Sequence, residues 1–417
     1  MHFYACRYII VERFFLKGMN IMLEEIKRLD KEYYMNTFGE RLPVAFDKGS
    51  GMVMTSTEGK DYYDFLGGIA VNALGHSHPK FVAALRKQLE KPLHTSSLYY
   101  IENQARLAEK ICKNTCADKA FFCSTGAEAN EGAIKLAKLY FYKKGENRYE
   151  IISLDKSFHG RTLATVAATG QEKYQKPYKP LTPGFIQVEP DNIEAMKAAV
   201  TDKTAAIMIE LIQGESGVHP MSAEYVKQLR RLCDEKGIIL IFDEVQTGMG
   251  RCGELFAHQL YGVEPDIFTS AKALGGGIPI GAVCAKDFVA KSFAPGDHGT
   301  TFGGNPFATG AGCAVFDIFE EEHLVENSKN MGLIFKERLL GLKEKYPEKI
   351  LDVRGAGLLI GIELAPEIAK GTFSALFEDG FLTSLCGNAL RLAPPLIITE
   401  KEINIFVNAL DTILAKG

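Results

Sequence analysis

Three short stretches of this chain combine residue types that ordinary packing does not ask for. Lys272 follows the apolar run DIFTS (266–270) and precedes Ala-Leu-Gly-Gly-Gly. Lysine at the end of a buried strand is uncommon without a partner or a task; a stem that snorkels to the surface is the alternative. Desolvation and nearby positive charge lower an ammonium pKa and leave a nucleophilic amine able to condense with an aldehyde. Asp243 and Glu244 close the run GIILIFDE (237–244), and a carboxylate held there out of water needs a cationic partner. Ser124-Thr125-Gly126-Ala127-Glu128 ends the run AFFCS (120–124) and opens a helical pattern. Thr125 and Glu128 have capping-box spacing, which makes Gly126 and Ala127 the first helical residues. Their amides lack an intrahelical acceptor and sit at the positive end of the dipole, so a phosphate suits them, although an ordinary capped helix has the same spelling. Together the three stretches ask for one ligand with a phosphate, a protonatable ring nitrogen and an aldehyde. Pyridoxal phosphate has all three.

The elements that hold these groups alternate along the chain. AFFCS, YEIISL (149–154), AAIMIE (205–210), GIILIFDE, DIFTS and GAVCA (281–285) are short apolar runs, separated by amphipathic stretches such as EGAIKLAKLYFYKK and AEYVKQLRRLCDEK. Near-continuous apolar strands joined by helices predict an α/β fold with a mostly parallel sheet covered on both faces. In such sheets ligands collect at the carboxyl ends of the strands, where all three stretches fall.

Composition narrows the rest. With 417 residues, 46% of them hydrophobic, the chain is long enough for two or three domains and a large core without disulfides or structural metal. Its 48 Lys+Arg against 52 Asp+Glu leave a net charge of −4 and no basic run, which excludes a nucleic-acid partner and an anionic membrane surface. Nine scattered cysteines without a C-x-x-C pair predict reduced thiols and a cytoplasmic location. Cys112 and Cys116, and His76 and His78, lack the companions of a metal site, so none is expected. The Asp-Glu strand end also resembles an ATPase strand, but no G-x-x-x-x-G-K-[ST] precedes it; RGAGLLIG (354–361) leads into a strand rather than the helix a dinucleotide loop requires. Residues 1–21 are apolar but interrupted by charge and carry no cleavage site; they are expected to be a start-site extension or a poorly ordered tail.

STGAEANE, SFHGRT, IELIQGESG, IFDEVQTGMGRCG, SAKALGGGIPIGA, HGTTFGGNPF and VRGAGLLIGIEL, in this order, resemble the class III pyridoxal-phosphate aminotransferases from about Met22 to the C-terminus. The resemblance implies a fold-type-I transferase with an N-terminal segment (22–75), a large cofactor-binding domain (76–308) and a smaller α+β domain (309–417). It implies Lys272 as covalent anchor and proton carrier, and Asp243 as partner of the ring nitrogen, with Glu244 beside it in the cofactor set. Phe158 and Val245 would cover the two ring faces, Gln246 would bind the phenolic oxygen, and the phosphate would lie on Gly126 and Ala127. Thr301 would reach the phosphate of a neighbouring copy in a homodimer, with Thr300 approaching the substrate.

For substrate, the resemblance implies a bidentate carboxylate clamp at Arg161 and a second carboxylate site at Arg391, masked by Glu215 until a dicarboxylate displaces it. The implied reaction moves the δ-amino group of N2-acetyl-L-ornithine to 2-oxoglutarate, giving glutamate, by a ping-pong path in arginine biosynthesis. Ornithine, 4-aminobutyrate or succinyl-diaminopimelate as donors, and an aminomutase, are the alternatives.

Overall fold

The computed structural model describes residues 23–416; the expected 1–21 extension lies outside them. A seven-stranded sheet forms the centre, in the spatial order Lys119–Cys123, Gly281–Ala285, Ile267–Ser270, Ile239–Asp243, Thr204–Ile209, Glu150–Leu154, Phe185–Val188. All six apolar runs read from the sequence are strands of this sheet. The sheet is parallel except for Gly281–Ala285, which runs antiparallel to both neighbours. Phe185–Val188, an edge strand, was not anticipated: it is four residues long, carries Gln187 and is only partly buried along most of its length, so its hydrophobic signal is weak.

Burial explains why these runs became strands. Every residue of Thr204–Ile209 and of Ile239–Asp243 is buried, as expected where helices cover both faces. Each fully buried Ile or Leu contributes about 2–3 kcal/mol of transfer free energy against the chain entropy. The helix Ala223–Lys236 shows how local chemistry sets a boundary. Ser222 Oγ accepts the Tyr225 amide at 3.2 Å, and Gly237 at φ 61° ends the helix in the left-handed region.

Two further sheets flank the central one. Phe46–Ser50, Val53–Ser56 and Asp61–Asp64 form an antiparallel meander to which Phe381–Leu382 adds in parallel, tying the start of the chain to its end. Ile350–Ala356, Leu359–Leu364, Ala389–Leu392 and Ser384–Cys386 make the C-terminal sheet, packed with the long helices Leu324–Lys345, Pro366–Glu378 and Glu400–Lys416. RGAGLLIG thus bridges two antiparallel strands. His76 and His78 take separate carboxylates, Asp64 at 2.8 Å and Glu322 at 3.1 Å. Among the described residues no helix is long and apolar enough to cross a membrane, and the eight cysteines are free thiols.

Beneath the central sheet, Glu244 is fully buried and accepts from His258 Nδ1 at 2.7 Å and from the amides of Ala257 and His258. Burial works against the His258 imidazolium, but the Cys116 thiol and the Glu244 carboxylate beside it raise its pKa to about 9. A raised folded-state pKa stabilises fully below the ordinary value of 6.5 and fades as pH climbs through 9. His258→Gln should therefore cost on the order of 3 kcal/mol at pH 6 and progressively less towards pH 9.5. Denaturant unfolding of both proteins across that range checks it; a gap independent of pH would contradict the assignment.

Candidate active site

The carboxyl ends of three central strands converge on a cavity of about 500 Å³. Asp243 ends the strand Ile239–Asp243, directly opposite Thr269 of the next strand. The residue is 4% exposed yet well supplied with donors. Oδ2 accepts from Asn130 Nδ2 and His159 Nδ1, each at 2.8 Å, and Oδ1 accepts from the Val245 amide at 3.1 Å. Asn130 is itself fixed by Thr269 Oγ1 at 2.7 Å and by the His159 carbonyl at 2.7 Å. The carboxylate thus sits as an oriented anion on the cavity wall.

Lys272 follows the strand Ile267–Ser270 and lines the same cavity. Among the described residues its Nζ has no hydrogen-bond partner in the protein. Its backbone is left-handed at φ 47°, a conformation that costs a non-glycine residue about 1–3 kcal/mol and concentrates at functional sites. Burial pushes the ammonium pKa below its ordinary value, and Arg391 adds to this against the opposing carboxylates of Glu215, Asp243 and Glu210. The amine therefore deprotonates more readily than a surface lysine.

The helix Gly126–Lys143 begins at the third wall. Thr125 Oγ1 accepts the Glu128 amide at 3.1 Å, and Glu128 Oε2 accepts the Ser124 amide at 2.7 Å. Both hydrogen bonds leave the Gly126 and Ala127 amides without a protein acceptor among the described residues, at the cavity and at the positive end of the helix. A Cβ on Gly126 would lie 2.8 Å from Val245 Cγ1, so only glycine lets this turn and Val245 approach so closely. Phe158 lines the cavity too, its amide donating to Glu210 at 2.8 Å and its ring edge-on to Tyr174 at 5.8 Å.

At the mouth, Arg161 is exposed, with its guanidinium 3.8 Å from the centre of the Tyr174 ring and no ion-pair partner among the described residues. Farther in, Arg391 is 3% exposed and pairs with Glu215 Oε1 at 2.7 Å. Burial alone would raise the Glu215 pKa, but Arg391 holds it below the ordinary carboxylate range. Gln246 joins this pair: Nε2 donates to Glu215 at 3.3 Å and Oε1 accepts from Arg391 at 3.4 Å.

The structure therefore gathers Lys272, Asp243, Gly126, Ala127, Phe158, Val245, Gln246 and Arg161 around one cavity, with Glu215 and Arg391 joined to it through Gln246. Glu244 is a correction. Side chains alternate across a strand, and its carboxylate points to the far side of the sheet, where His258 and the Ala257–Tyr261 helix use it. Thr300 and Thr301 do not line the cavity of their own chain: Thr300 Oγ1 accepts the Gly303 amide at 3.2 Å and Thr301 is exposed. Three polar cavity residues were not singled out from the sequence: Asn130, His159 and Glu210. Each lies inside a quoted string, but its role depends on a partner distant in sequence. Burial pushes the Glu210 carboxyl well above its ordinary pKa, with Asp243 adding to the rise.

An unpaired amine, a buried oriented carboxylate and a free helix N-terminus around one cavity fit pyridoxal phosphate at its aldehyde, ring nitrogen and phosphate. This defines an enzyme of the pyridoxal-phosphate kind. Residues 34–414 match the family Aminotransferase class-III. The chain is 50% identical over 395 residues to the acetylornithine aminotransferase of Methanocaldococcus jannaschii, covering 93% of this chain and 97% of that one. It is 48% identical over 392 residues to the acetylornithine aminotransferase of Nostoc sp., covering 91% of each. Among solved structures, ornithine aminotransferase from Toxoplasma gondii is similar at TM-score 0.91 and 30% identity over 97% of both chains. Acetylornithine aminotransferase from Elizabethkingia anophelis is similar at TM-score 0.84 and 35% identity, covering 95% of this chain and 99% of that one. The chain belongs to the class III aminotransferases and is a pyridoxal-phosphate-dependent transaminase.

Asp243→Asn keeps the shape of the buried side chain and removes its charge. The variant should fold and retain cofactor while kcat falls by about 10²–10³-fold, the scale of losing one preorganised electrostatic group. Absorbance of bound cofactor and steady-state kinetics read the two quantities separately.

Proposed function

We propose that the enzyme transfers the δ-amino group of N2-acetyl-L-ornithine to 2-oxoglutarate by a ping-pong path. The carrying observation is the unequal state of two arginines: Arg161 is unpaired at the mouth, while Arg391 is buried and masked by Glu215 at 2.7 Å. A donor with one carboxylate finds one open clamp, and its reacting end, which is uncharged apart from the amine, meets no bare guanidinium. A five-carbon dicarboxylate competes with Glu215 for Arg391 and opens the second clamp. The curated relatives named above are acetylornithine aminotransferases, which favours the acetylated donor.

Bound pyridoxal phosphate supplies an aldehyde that takes up the amino group and a ring that takes up the electron pair left when the substrate proton departs. Lys272, held as a readily deprotonated amine, removes that proton from the reacting carbon and later returns one. Asp243 would present its carboxylate to the ring nitrogen, and Asn130 and His159 hold that carboxylate against rotation. Phe158 and Val245 would exclude water from the two ring faces, Gly126 and Ala127 would donate to the phosphate, and Gln246 would hold the phenolic oxygen. The C-terminal domain beginning at 309 would bring Arg391 to the substrate, and the N-terminal segment is tied to it through Asp61–Asp64 and Phe381–Leu382. Exposed Thr301 completes the site of a second copy in a homodimer, and Thr300 approaches the substrate.

The ornithine reading is favoured by the backbone likeness to the Toxoplasma gondii enzyme, since the same Glu215–Arg391 pair serves any ω-amine. Comparison of kcat/KM for N2-acetylornithine, ornithine, 4-aminobutyrate and succinyl-diaminopimelate should favour the first by at least about tenfold, or 1.4 kcal/mol. A win for ornithine would replace the donor and leave the chemistry intact. Mixing Lys272→Ala chains with Thr301→Glu chains should restore activity that neither has alone, because mixed dimers assemble one site with both native groups; no recovery argues against the shared site.

A further inference from the structure

The loop that carries Glu215 is held from the C-terminal sheet by a second arginine. In that sheet Arg354, Gly361, Arg391 and Ser384 are direct cross-strand neighbours in one row. Gly361 leaves a gap in the row: a Cβ there would lie 2.8 Å from the Gly217 carbonyl oxygen and 3.0 Å from Val218 Cβ. The loop sits in this gap between the two arginines. Arg391 Nη1 donates to the Gly214 carbonyl at 3.2 Å and to Glu215. On the other side, Arg354 Nε donates to the carbonyls of Gly217 at 2.9 Å and Val218 at 3.0 Å, while its Nη2 pairs with Glu363 at 2.6 Å.

The loop is closed by the short antiparallel pair Ile212–Gln213 and His219–Pro220, and His219 Nε2 lies 3.1 Å from the Ser216 carbonyl, but these contacts do not reach the Gly217 and Val218 carbonyls. Val218 is β-branched and fully buried with φ 59°, and Gly217 has φ 117°. A valine in the left-handed region is strained and persists only where its surroundings over-determine it. At residues 217–218 the strand-borne guanidinium, anchored by Glu363 and donating to two successive carbonyls, adds the constraint that the flanking strand pair does not provide. Ser216 contributes no side-chain hydrogen bond, since its buried Oγ is without a partner.

We propose that Arg354 is a positioning residue for substrate alternation: by clamping the 217–218 carbonyls it keeps Glu215 in register to mask Arg391. It touches neither substrate nor cofactor and acts through Glu215. The inference rests on the proposed alternation between an ω-amine and a dicarboxylate. It gives the RGAG segment, which the dinucleotide reading could not use, a task at the active site.

The test uses the holoenzyme and reads each half-reaction separately by single turnover, with calorimetric affinity for glutarate, an unreactive five-carbon dicarboxylate, as an equilibrium readout. Arg354→Gln should lower kcat/KM of the amine half-reaction by about tenfold, preserve or raise that of the 2-oxoglutarate half-reaction, and tighten glutarate, because Arg391 is less often masked. In a Glu215→Gln background the same substitution should no longer change the ratio of half-reactions, since residues acting through one another are non-additive. Gly361→Ala, which pushes the loop from beneath, should shift the ratio the same way and serves if Arg354→Gln does not fold. Equal losses in both half-reactions, an unchanged ratio, or full additivity with Glu215→Gln overturns the proposal. Failure of the native enzyme to use N2-acetylornithine would instead overturn the donor assignment, and the ratio is then measured with the ω-amine it accepts.

Discussion

A carboxylate kept out of water at the end of a central strand is the constraint on which the site depends. Desolvating such a group without donors costs several kcal/mol, so the fold must deliver hydrogen bonds to Asp243 from several directions. It does so with long-range partners: Asn130 from the first helix after the sheet begins, His159 from the loop after Glu150–Leu154, and Thr269 from the adjoining strand. Asn130 binds Asp243, Thr269 and the His159 backbone at once, so the helix whose free N-terminal amides face the cavity is fixed relative to the buried carboxylate. Strand order therefore sets the spacing between ligand-binding groups directly.

The second level of organisation is a contact between the central and C-terminal sheets. Glu215 follows a central strand while Arg391 and Arg354 stand on the C-terminal sheet, so the carboxylate that pairs with Arg391 is held by a surface other than its own. An ion pair this deep is a weak source of stability, because desolvation of both partners offsets their attraction. That near-balance suits a switch: an incoming carboxylate can replace Glu215 without a large net change in free energy.

Much of this was legible in the sequence, for identifiable reasons. Six strands were readable because both faces of the sheet are covered and each run is nearly all apolar; Phe185–Val188 escaped because a short, mostly half-buried edge strand needs no such run. Lys272, Asp243 and Gly126 could be found because each is a residue type that its local element does not explain. The antiparallel direction of Gly281–Ala285 had no local signature, since burial is the same either way. Asn130, His159 and Glu210 were missed because their functions are defined by contacts across 29 to 113 positions of chain. Thr301 lies outside its own chain's cavity, and its expected contact is to another copy, which no local pattern in one chain encodes.

Asp243 and Glu244 show how fine the resolution of a sequence pattern must be. They are adjacent acids, nearly equal in chemistry, and both are buried. Strand alternation sends them to opposite sides of the sheet: one to the cavity, the other to His258, whose charged ring and the amides of a short helix neutralise it. Were both to face the cavity, like-charge repulsion would drive one to take up a proton, and the ring nitrogen would meet a carboxylic acid and a carboxylate with no means of choosing between them. Period-two geometry separates the two charges at no cost in chain length, and the imidazolium on the far side turns the second acid into a structural latch. A slip of one residue in the register between Ile239–Asp243 and its neighbours would exchange these roles, placing the longer Glu244 side chain over the cofactor site and leaving Asp243 to bind the helix beneath.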